Sequence, residues 1–293
     1  MATADTTQTL SQTTTYMPQP QRKRDWSVPL THVTLIVIIF IMALPLLYAL
    51  LLATFTQAQA FTYPPRLVPG GDLVSNINIL FNRNFGTQIL NTVFIAVIVV
   101  VAKTVLSLLA GLAFVYFRFP GKWFLFFFVL LTLLMPTEII IVPLFNLVAD
   151  LGWGDTFFAL TVPFFASATG SFLFRQHFSN IPGELAEAAQ LDGATPLRFL
   201  WSVLVPMSWN VIGAMAVIQF IYMWNQYLWP VIIMNSPEKK VIQQGVRDAL
   251  QVGAQTDFGP VMAGAIIATI PPLVVFILLQ KQFMSGFALT RDK

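Results

Sequence analysis

The chain has 293 residues, of which 56% are hydrophobic and only 10% charged, with a mean hydropathy of +0.73. Soluble domains carry about a quarter of their residues as charges, so this composition excludes an ordinary water-soluble fold and defines a membrane protein. With no cysteine there is no disulfide, thiolate metal ligand or cysteine nucleophile, and 16 basic against 13 acidic residues is an excess that topology accounts for without a nucleic-acid patch.

Residues 1–26 open the chain as a Thr/Gln-rich stretch too poor in apolar side chains to build a core, and are expected to form a disordered cytoplasmic tail. The rest, 27–293, reads as one transmembrane domain. Arg22, Lys23 and Arg24 precede an apolar run from Leu30 to Ala53. A signal peptide's apolar core is about 7 to 15 residues long; this run is longer, which makes it an uncleaved first span. Since a helix needs about 20 apolar residues to cross the hydrocarbon, the sequence divides into six spans, at about 30–53, 88–116, 123–148, 156–178, 207–234 and 258–282. An all-α polytopic fold follows.

With the amino terminus inside, Arg22, Lys23, Arg24, Arg118, Lys122, Arg175, Arg198, Lys281, Arg291 and Lys293 are cytoplasmic, and only Arg66, Arg83, Lys239, Lys240 and Arg247 fall outside. That asymmetry satisfies the positive-inside rule and places both termini in the cytoplasm. Residues 54–88, with "YPPRLVPGGD", then form a long outer loop rich in turn formers. Residues 235–257 form a second, whose Lys239, Lys240 and Arg247 suit either a docking face or an ordinary surface.

Two charges lie within spans. Lys103 is 15 residues before Arg118 and Glu138 is 16 residues after Lys122, so both sit roughly 23 Å from the inner boundary on consecutive antiparallel helices. They read as a structural ion pair or as a proton relay; the relay would belong to an ion-gradient-driven transporter or channel, the alternative class for this chain. In the expected third and sixth spans, Pro136, Pro143, Pro271 and Pro272 mark kinks.

Between the fourth and fifth spans stands "ELAEAAQLDGATPLRF", residues 184–199. Pro182 suits a helix start, Glu184 and Glu187 lie where the helix dipole favours negative charge, and Gly193 can take the left-handed conformation that ends a helix. Thr195 and Pro196 supply a cap and a new start. The segment therefore reads as helix, turn, helix outside the bilayer. Its alternatives are an interfacial amphipathic helix and a protein-docking element. Interfacial helices carry Lys and Arg on the polar face, whereas this one is acidic, and its small Ala188 and Ala189 allow another protein close approach.

The fifth span contains "YMWNQYLWP", residues 222–230. Trp224, Tyr227 and Trp229 fit an aromatic belt at the outer boundary, while Asn225 and Gln226 need a neighbouring helix or an aqueous path. Trp224, Asn225, Gln226 and Tyr227 are therefore candidates for lining a pore or touching solute. The sequence contains no G-x-x-x-x-G-K-[ST] phosphate loop, no H-E-x-x-H and no G-x-S-x-G. His32 and His177 lie near span boundaries, and neither a catalytic residue nor a metal site is assigned.

The segment "EAAQLDG" (187–193), followed by Val203, Val205 and Pro206, resembles the EAA loop of bacterial binding-protein-dependent ABC importer permeases: Glu-Ala-Ala, three residues, Gly, nine residues, Ile, any residue, Leu-Pro, with Val here in place of Ile and Leu. The resemblance extends through "AFVYFRFPGK" (113–122), "LLMPTEIIIVP" (133–143), "SATGSFLFRQHFSNIPGELAEAAQLDGATPLRF" (167–199) and "YMWNQYLWP", and is to the MetI-like carbohydrate-permease group, in its glycerol-phosphate branch. It implies a six-helix permease half in a bacterial inner membrane, with a cytoplasmic coupling helix formed by Glu184, Glu187, Ala188, Ala189, Asp192 and Gly193. The expected partners are a homologous second permease, two cytoplasmic ATPase subunits that bind the ATP, and an extracytoplasmic solute-binding protein, besides membrane lipid. The solute implied is sn-glycerol 3-phosphate or a related glycerophosphodiester or carbohydrate. No cofactor in this chain and no enzymatic activity of its own are expected.

Overall fold

The computed structural model describes residues 27–252 and 255–287; the side chains of residues 27–29, 137–138, 251–252, 255–256 and 287 lie outside the description, as do the expected tail and the last six residues. The described chain is helical except for an antiparallel pair, β1 (Gln251–Val252) with β2 (Gln255–Thr256). It divides at Pro45 into two units. In its described part the first consists of most of α1 (Ser27–Leu52), the uninterrupted first span.

The second unit begins at Leu46, within α1, and its next stretch differs from the turn-rich loop that the sequence suggested. Residues 54–88 contain α2 (Gln57–Ala60), α3 (Leu73–Phe81) and the start of α4 (Phe85–Tyr116). Thr56 and Gln59 close a capping box on α2. Asn76 is buried on α3, and its Nδ2 donates to the carbonyls of Ala53 and Phe55 at 2.9 and 3.0 Å. Those long-range bonds satisfy a chain end that turn propensities alone leave open.

α4 runs for 32 residues, about 48 Å. The expected third span is two shorter helices, α5 (Lys122–Thr132) and α6 (Thr137–Asp150). Pro136, extended at φ −60° and ψ 134°, separates them. Proline has no N–H to give and its ring drives the preceding residue out of the helical region. The fourth span is assembled from α7 (Phe157–Thr161), a 3₁₀ turn (Val162–Phe164) and α8 (Ala168–Ser179), the last capped by the Ser167 hydroxyl accepting from the Gly170 N–H.

After α9 (Gly183–Leu191) and α10 (Pro196–Phe199) come a π-helical turn (Leu200–Leu204), α11 (Val205–Met207) and α12 (Trp209–Trp224). The segment through α11 meets α12 at 80°. Pro206 removes one helical donor, and the fully buried Ser208 turns its hydroxyl back to the Leu204 carbonyl at 2.6 Å, a bond that bends helices. The expected fifth span also breaks at its far end: α12 stops at Trp224 and α13 covers only Leu228–Ile233. Next come α14 (Ile242–Ala249) and α15 (Phe258–Phe287), which carries Pro271 and Pro272 inside one continuous helix. Among the described residues, four helical segments are long and apolar enough to cross a membrane, and a fifth if the bent pair is one span.

Packing follows the rule for lipid, where association depends on close approach rather than on removing apolar surface from water. A Cβ on Gly111 of α4 would lie 2.8 Å from Phe174 Cβ of α8, and one on Gly213 of α12 would lie 2.5 Å from Gln282 Cβ of α15. Glycine is what permits both crossings. Two cores result. One gathers Leu80, Phe85, Val99, Trp224 and Ile242, the other Leu112, Phe174, Phe178, Leu200 and Leu204. Large apolar side chains such as Trp123, Phe124 and Phe127 of α5 point outward, as a lipid-facing surface requires.

Gly213→Val should therefore lower stability by about 1–3 kcal/mol through overpacking, read as a lower melting temperature of the detergent-solubilised protein. Gly183→Ala, with open space at its Cβ, should stay within about 0.5 kcal/mol. Equal melting of the two variants would show that the α12–α15 crossing is not tight.

Candidate functional site

α4 carries a polar structure at each end and a buried charge between them. At its carboxyl end, Tyr116 meets Phe199 edge-on with ring centroids 5.2 Å apart. Ala186 and Ala189 of α9 pack against the core that includes Leu112 and Phe199, with a cavity of about 80 Å³ beneath them. Glu184, Glu187, Ala188 and Asp192 are exposed, and Leu191 is 89% exposed. The two alanines of the motif thus have different tasks: Ala189 helps seat α9 on the body and Ala188 faces outward. Leu191 escaped the sequence reading, since a leucine in an apolar chain looks like core; its position three residues after Ala188 was the available signal.

The end of α9 is built from backbone bonds. The Ala194 N–H donates to the Ala189 carbonyl at 2.9 Å and the Gly193 N–H to the Gln190 carbonyl at 3.0 Å, the two bonds of a Schellman motif. It requires a left-handed residue after the cap, and Gly193 has φ +70°, as its position predicted. Nothing lies within 4 Å of where its Cβ would stand, so a substitution there meets backbone strain and no steric obstacle. Thr195 caps α10 by accepting from the Arg198 N–H at 3.3 Å.

At the amino end of α4, the loop charges that suited either a docking face or an ordinary surface make contacts within the protein. Asn91 Nδ2 donates to the carbonyls of Glu238 and Lys240, and the Ile242 N–H donates to Thr92 Oγ1. Asp155, at φ 55°, accepts from the N–H groups of Asn235 and Ser236 at 2.9 and 3.0 Å and from the Ser236 hydroxyl. Lys239 Nζ donates to its main-chain carbonyl at 2.7 Å. The Ser236 hydroxyl above all, then the two N–H groups and the Lys239 charge, hold the Asp155 carboxyl well below the usual carboxylate range against the opposing effect of burial. Lys240 pairs with Asp248 at 2.6 Å, and the Arg247 guanidinium lies over the Tyr227 ring at 5.8 Å.

Midway along α4, the buried Lys103 donates from Nζ to Gln219 Oε1 of α12 at 2.8 Å and lies 5.0 Å from the Tyr222 ring centroid. Neither partner was singled out in the sequence, because only the crossing of α4 with α12 brings them together. Glu138, the partner expected from helix arithmetic, has its side chain outside the described residues.

The stretch Trp224–Tyr227 separates into distinct environments. Trp224 is 1% exposed, stacks on Phe220 and donates from Nε1 to the Ala268 carbonyl of α15 at 2.9 Å. It holds α12 to α15 and faces no open path in this chain. Asn225 and Tyr227 are exposed and Gln226 half-buried, in the break between α12 and α13. Gln243 of α14 covers that break, donating from Nε2 to the Trp224 carbonyl at 3.2 Å and reaching Asn225 Oδ1 at 3.4 Å.

Apolar helices long enough to cross a membrane, packed around a buried Lys103 that is met by neutral partners, define a multi-pass helical membrane protein. The chain belongs to the family of binding-protein-dependent transport system inner membrane components, whose match covers residues 103–287. It is 39% identical over 263 residues, 87% of this chain and 94% of the relative, to the sn-glycerol-3-phosphate transport system permease protein UgpE of Yersinia pestis bv. Antiqua. It is 38% identical over 268 residues, 88% and 95% of the two chains, to the protein of that name from Brucella melitensis biotype 1. Its fold matches a chain of a bacterial ABC transporter involved in import of the acidic polysaccharide alginate, with a TM-score of 0.75 at 24% identity, covering 90% of this chain and 99% of that one. Family and fold favour a binding-protein-dependent permease over an ion-gradient-driven transporter.

Asp155→Ala should free the 235–239 turn and raise hydrogen exchange at the Asn235 and Ser236 amides by about tenfold, the equivalent of one hydrogen bond. Because the folded carboxyl titrates below its unfolded value near 3.9, its stabilisation is complete above about pH 4 and lost as pH falls further. Exchange unchanged by the substitution would remove Asp155 as the anchor.

Proposed function

We propose that this chain is one permease half of an ABC importer for sn-glycerol 3-phosphate or a closely related glycerophosphodiester or carbohydrate, with α9 as the coupling helix. The observation that carries the coupling reading is the exposed face of α9: Glu184, Glu187, Ala188 and Leu191 turn away from the body while Ala186 and Ala189 seat the helix on it. An apolar leucine beside an alanine, ringed by carboxylates, suits a cleft in a basic-rimmed protein surface better than an anionic bilayer. The solute class rests on the relatives of 38–39% identity whose names carry it.

In this reading a homologous second permease completes the path, and two cytoplasmic ATPase subunits bind and hydrolyse ATP, each receiving one coupling helix. An extracytoplasmic binding protein delivers solute to the opposite face. Asn225, Gln226 and Tyr227 are the pore candidates, since they stand in the break between α12 and α13, and irregular backbone within a membrane belongs beside protein or an aqueous path. The coupling step is mechanical. Movement of the ATPase cleft is passed to α9, through its Ala186 and Ala189 contacts to the end of α4 and through α10 to the bend at Ser208.

The reading is tested in the purified importer. Gly193→Val places a β-branched residue at positive φ, at a cost of about 1–3 kcal/mol. It should leave membrane insertion intact while weakening ATPase retention and abolishing solute-stimulated hydrolysis and uptake. Ala188→Trp should act alike by steric exclusion, whereas Gln190→Lys should be mild. Normal stimulation in both of the first two variants would sink the coupling assignment. Orientation has its own readout: a reporter active only outside the membrane should work when fused after Lys240 and fail after Gly193, and the reverse pattern would invert the topology.

A further inference from the structure

At the end of the bundle that carries α9, three cations from three elements converge. Arg118 follows the last turn of α4, Lys122 opens α5 and Arg175 lies in the last two turns of α8. Among the described residues none of the three has a carboxylate partner; the ion pairs there are Lys239 with Asp155 and Lys240 with Asp248. Lys122 Nζ donates to the carbonyls of Val115 and Phe117 at 3.3 and 3.0 Å, which uses two of the three ammonium donors. Desolvation first, then the charges of Arg175 and Arg118, push the Lys122 ammonium below its ordinary value. Three like charges held together without an acid lack an anion.

The walls are aromatic. Arg175 lies over Phe126 at 4.3 Å and over Trp123 at 5.1 Å, so its guanidinium is held flat against α5. A hollow of about 320 Å³ beside it is lined by Arg118, Phe119, Lys122, Trp123 and Phe124. Trp123 is 61% exposed, Phe124 75% and Phe127 62%, and these side chains continue from the hollow down the outer surface of α5. A cationic pocket at a helix boundary that runs without interruption into an apolar, outward-facing wall matches a molecule with an anionic head and hydrocarbon tails.

We propose that Arg118, Lys122 and Arg175 form a site for the phosphate headgroup of an anionic phospholipid, its acyl chains lying along Trp123, Phe124 and Phe127. Arg118 and the third Lys122 donor supply the charge-assisted hydrogen bonds, and Arg175 adds its field while fixing the aromatic wall. The bound lipid would relieve the repulsion among the three cations and tie α4, α5 and α8 together beside the coupling helix. This goes beyond the transport reading and does not depend on it, because lipid retention is read without ATP or solute.

The test uses the whole importer, delipidated in a neutral detergent, titrated with phosphatidylglycerol or phosphatidylcholine and followed by native mass spectrometry and thermal melting. The wild type should retain phosphatidylglycerol and melt higher with it, and phosphatidylcholine should do neither. Arg118→Glu together with Arg175→Gln should weaken phosphatidylglycerol retention by tenfold or more and, having lost the Arg175 stack, melt slightly below the wild type in neutral detergent. Arg118→Gln alone, which leaves the Arg175 stack in place, serves if the double variant does not assemble, and should still weaken retention several-fold. A third arm adds free sn-glycerol 3-phosphate, which should not displace the lipid. Equal retention by wild type and variants, equal retention of the two lipids, or displacement by the soluble phosphate would each overturn the proposal.

Discussion

The close approach of α4 to α8 is the contact on which both ends of the molecule depend. With Gly111 against Phe174, and Gly170 of α8 against Ser107 of α4, one helix contributes no side chain at each of the two points. In lipid, dispersion between surfaces in direct contact has to supply what the hydrophobic effect supplies in water, so a spacer of even one methyl group at such a crossing weakens it. α12 joins α4 on another side and closes on α15 by the same device at Gly213. α4 thereby becomes a rigid strut, with α14 and the 238–242 turn on its first turns and the α9 segment on its last.

Polar groups inside this frame are few, and those at its irregular or charged points are met by partners from other elements. Lys103 meets an amide oxygen and an aromatic face, both of which stabilise a buried cation. The break after Trp224 would leave carbonyls bare, and Gln243 supplies one with a donor from a different element. Irregular backbone within a membrane is tolerated only where protein or an aqueous path satisfies it, and here Gln243 of α14 is the protein group that does so.

The two ends of α4 handle charge in opposite ways. At the amino end, Asp155, Lys239, Lys240 and Asp248 are paired within the chain and serve to fold loops. At the carboxyl end, the carboxylates of α9 project outward and the cations of Arg118, Lys122 and Arg175 stand without acids among the described residues. Charges without an acid or base beside them in the described chain are the ones on which the proposed partner surface and the proposed headgroup site rest.

The residues of the chain determined, by themselves, that it is a helical membrane protein, where four of its helical segments lie, and that residues 183–199 form a helix, a left-handed glycine turn and a second helix. These are local properties: apolar length acts over about 20 residues, capping residues and the φ freedom of Gly193 over a few, and all are legible in order along the chain. Tertiary structure alone decided that α2 and α3 occupy an apparent loop, that of the prolines expected to kink helices Pro136 separates two while Pro271 and Pro272 stay inside α15, and that Trp224 belongs to a helix crossing. It also decided that Ala189 faces inward while Ala188 and Leu191 face outward, and that Lys103 finds Gln219. Each of those outcomes depends on which distant surface lies opposite a side chain, and in a sequence rich in leucine, phenylalanine and valine nearly every face is apolar. Periodicity then carries little information about direction, and only the packed helices select one.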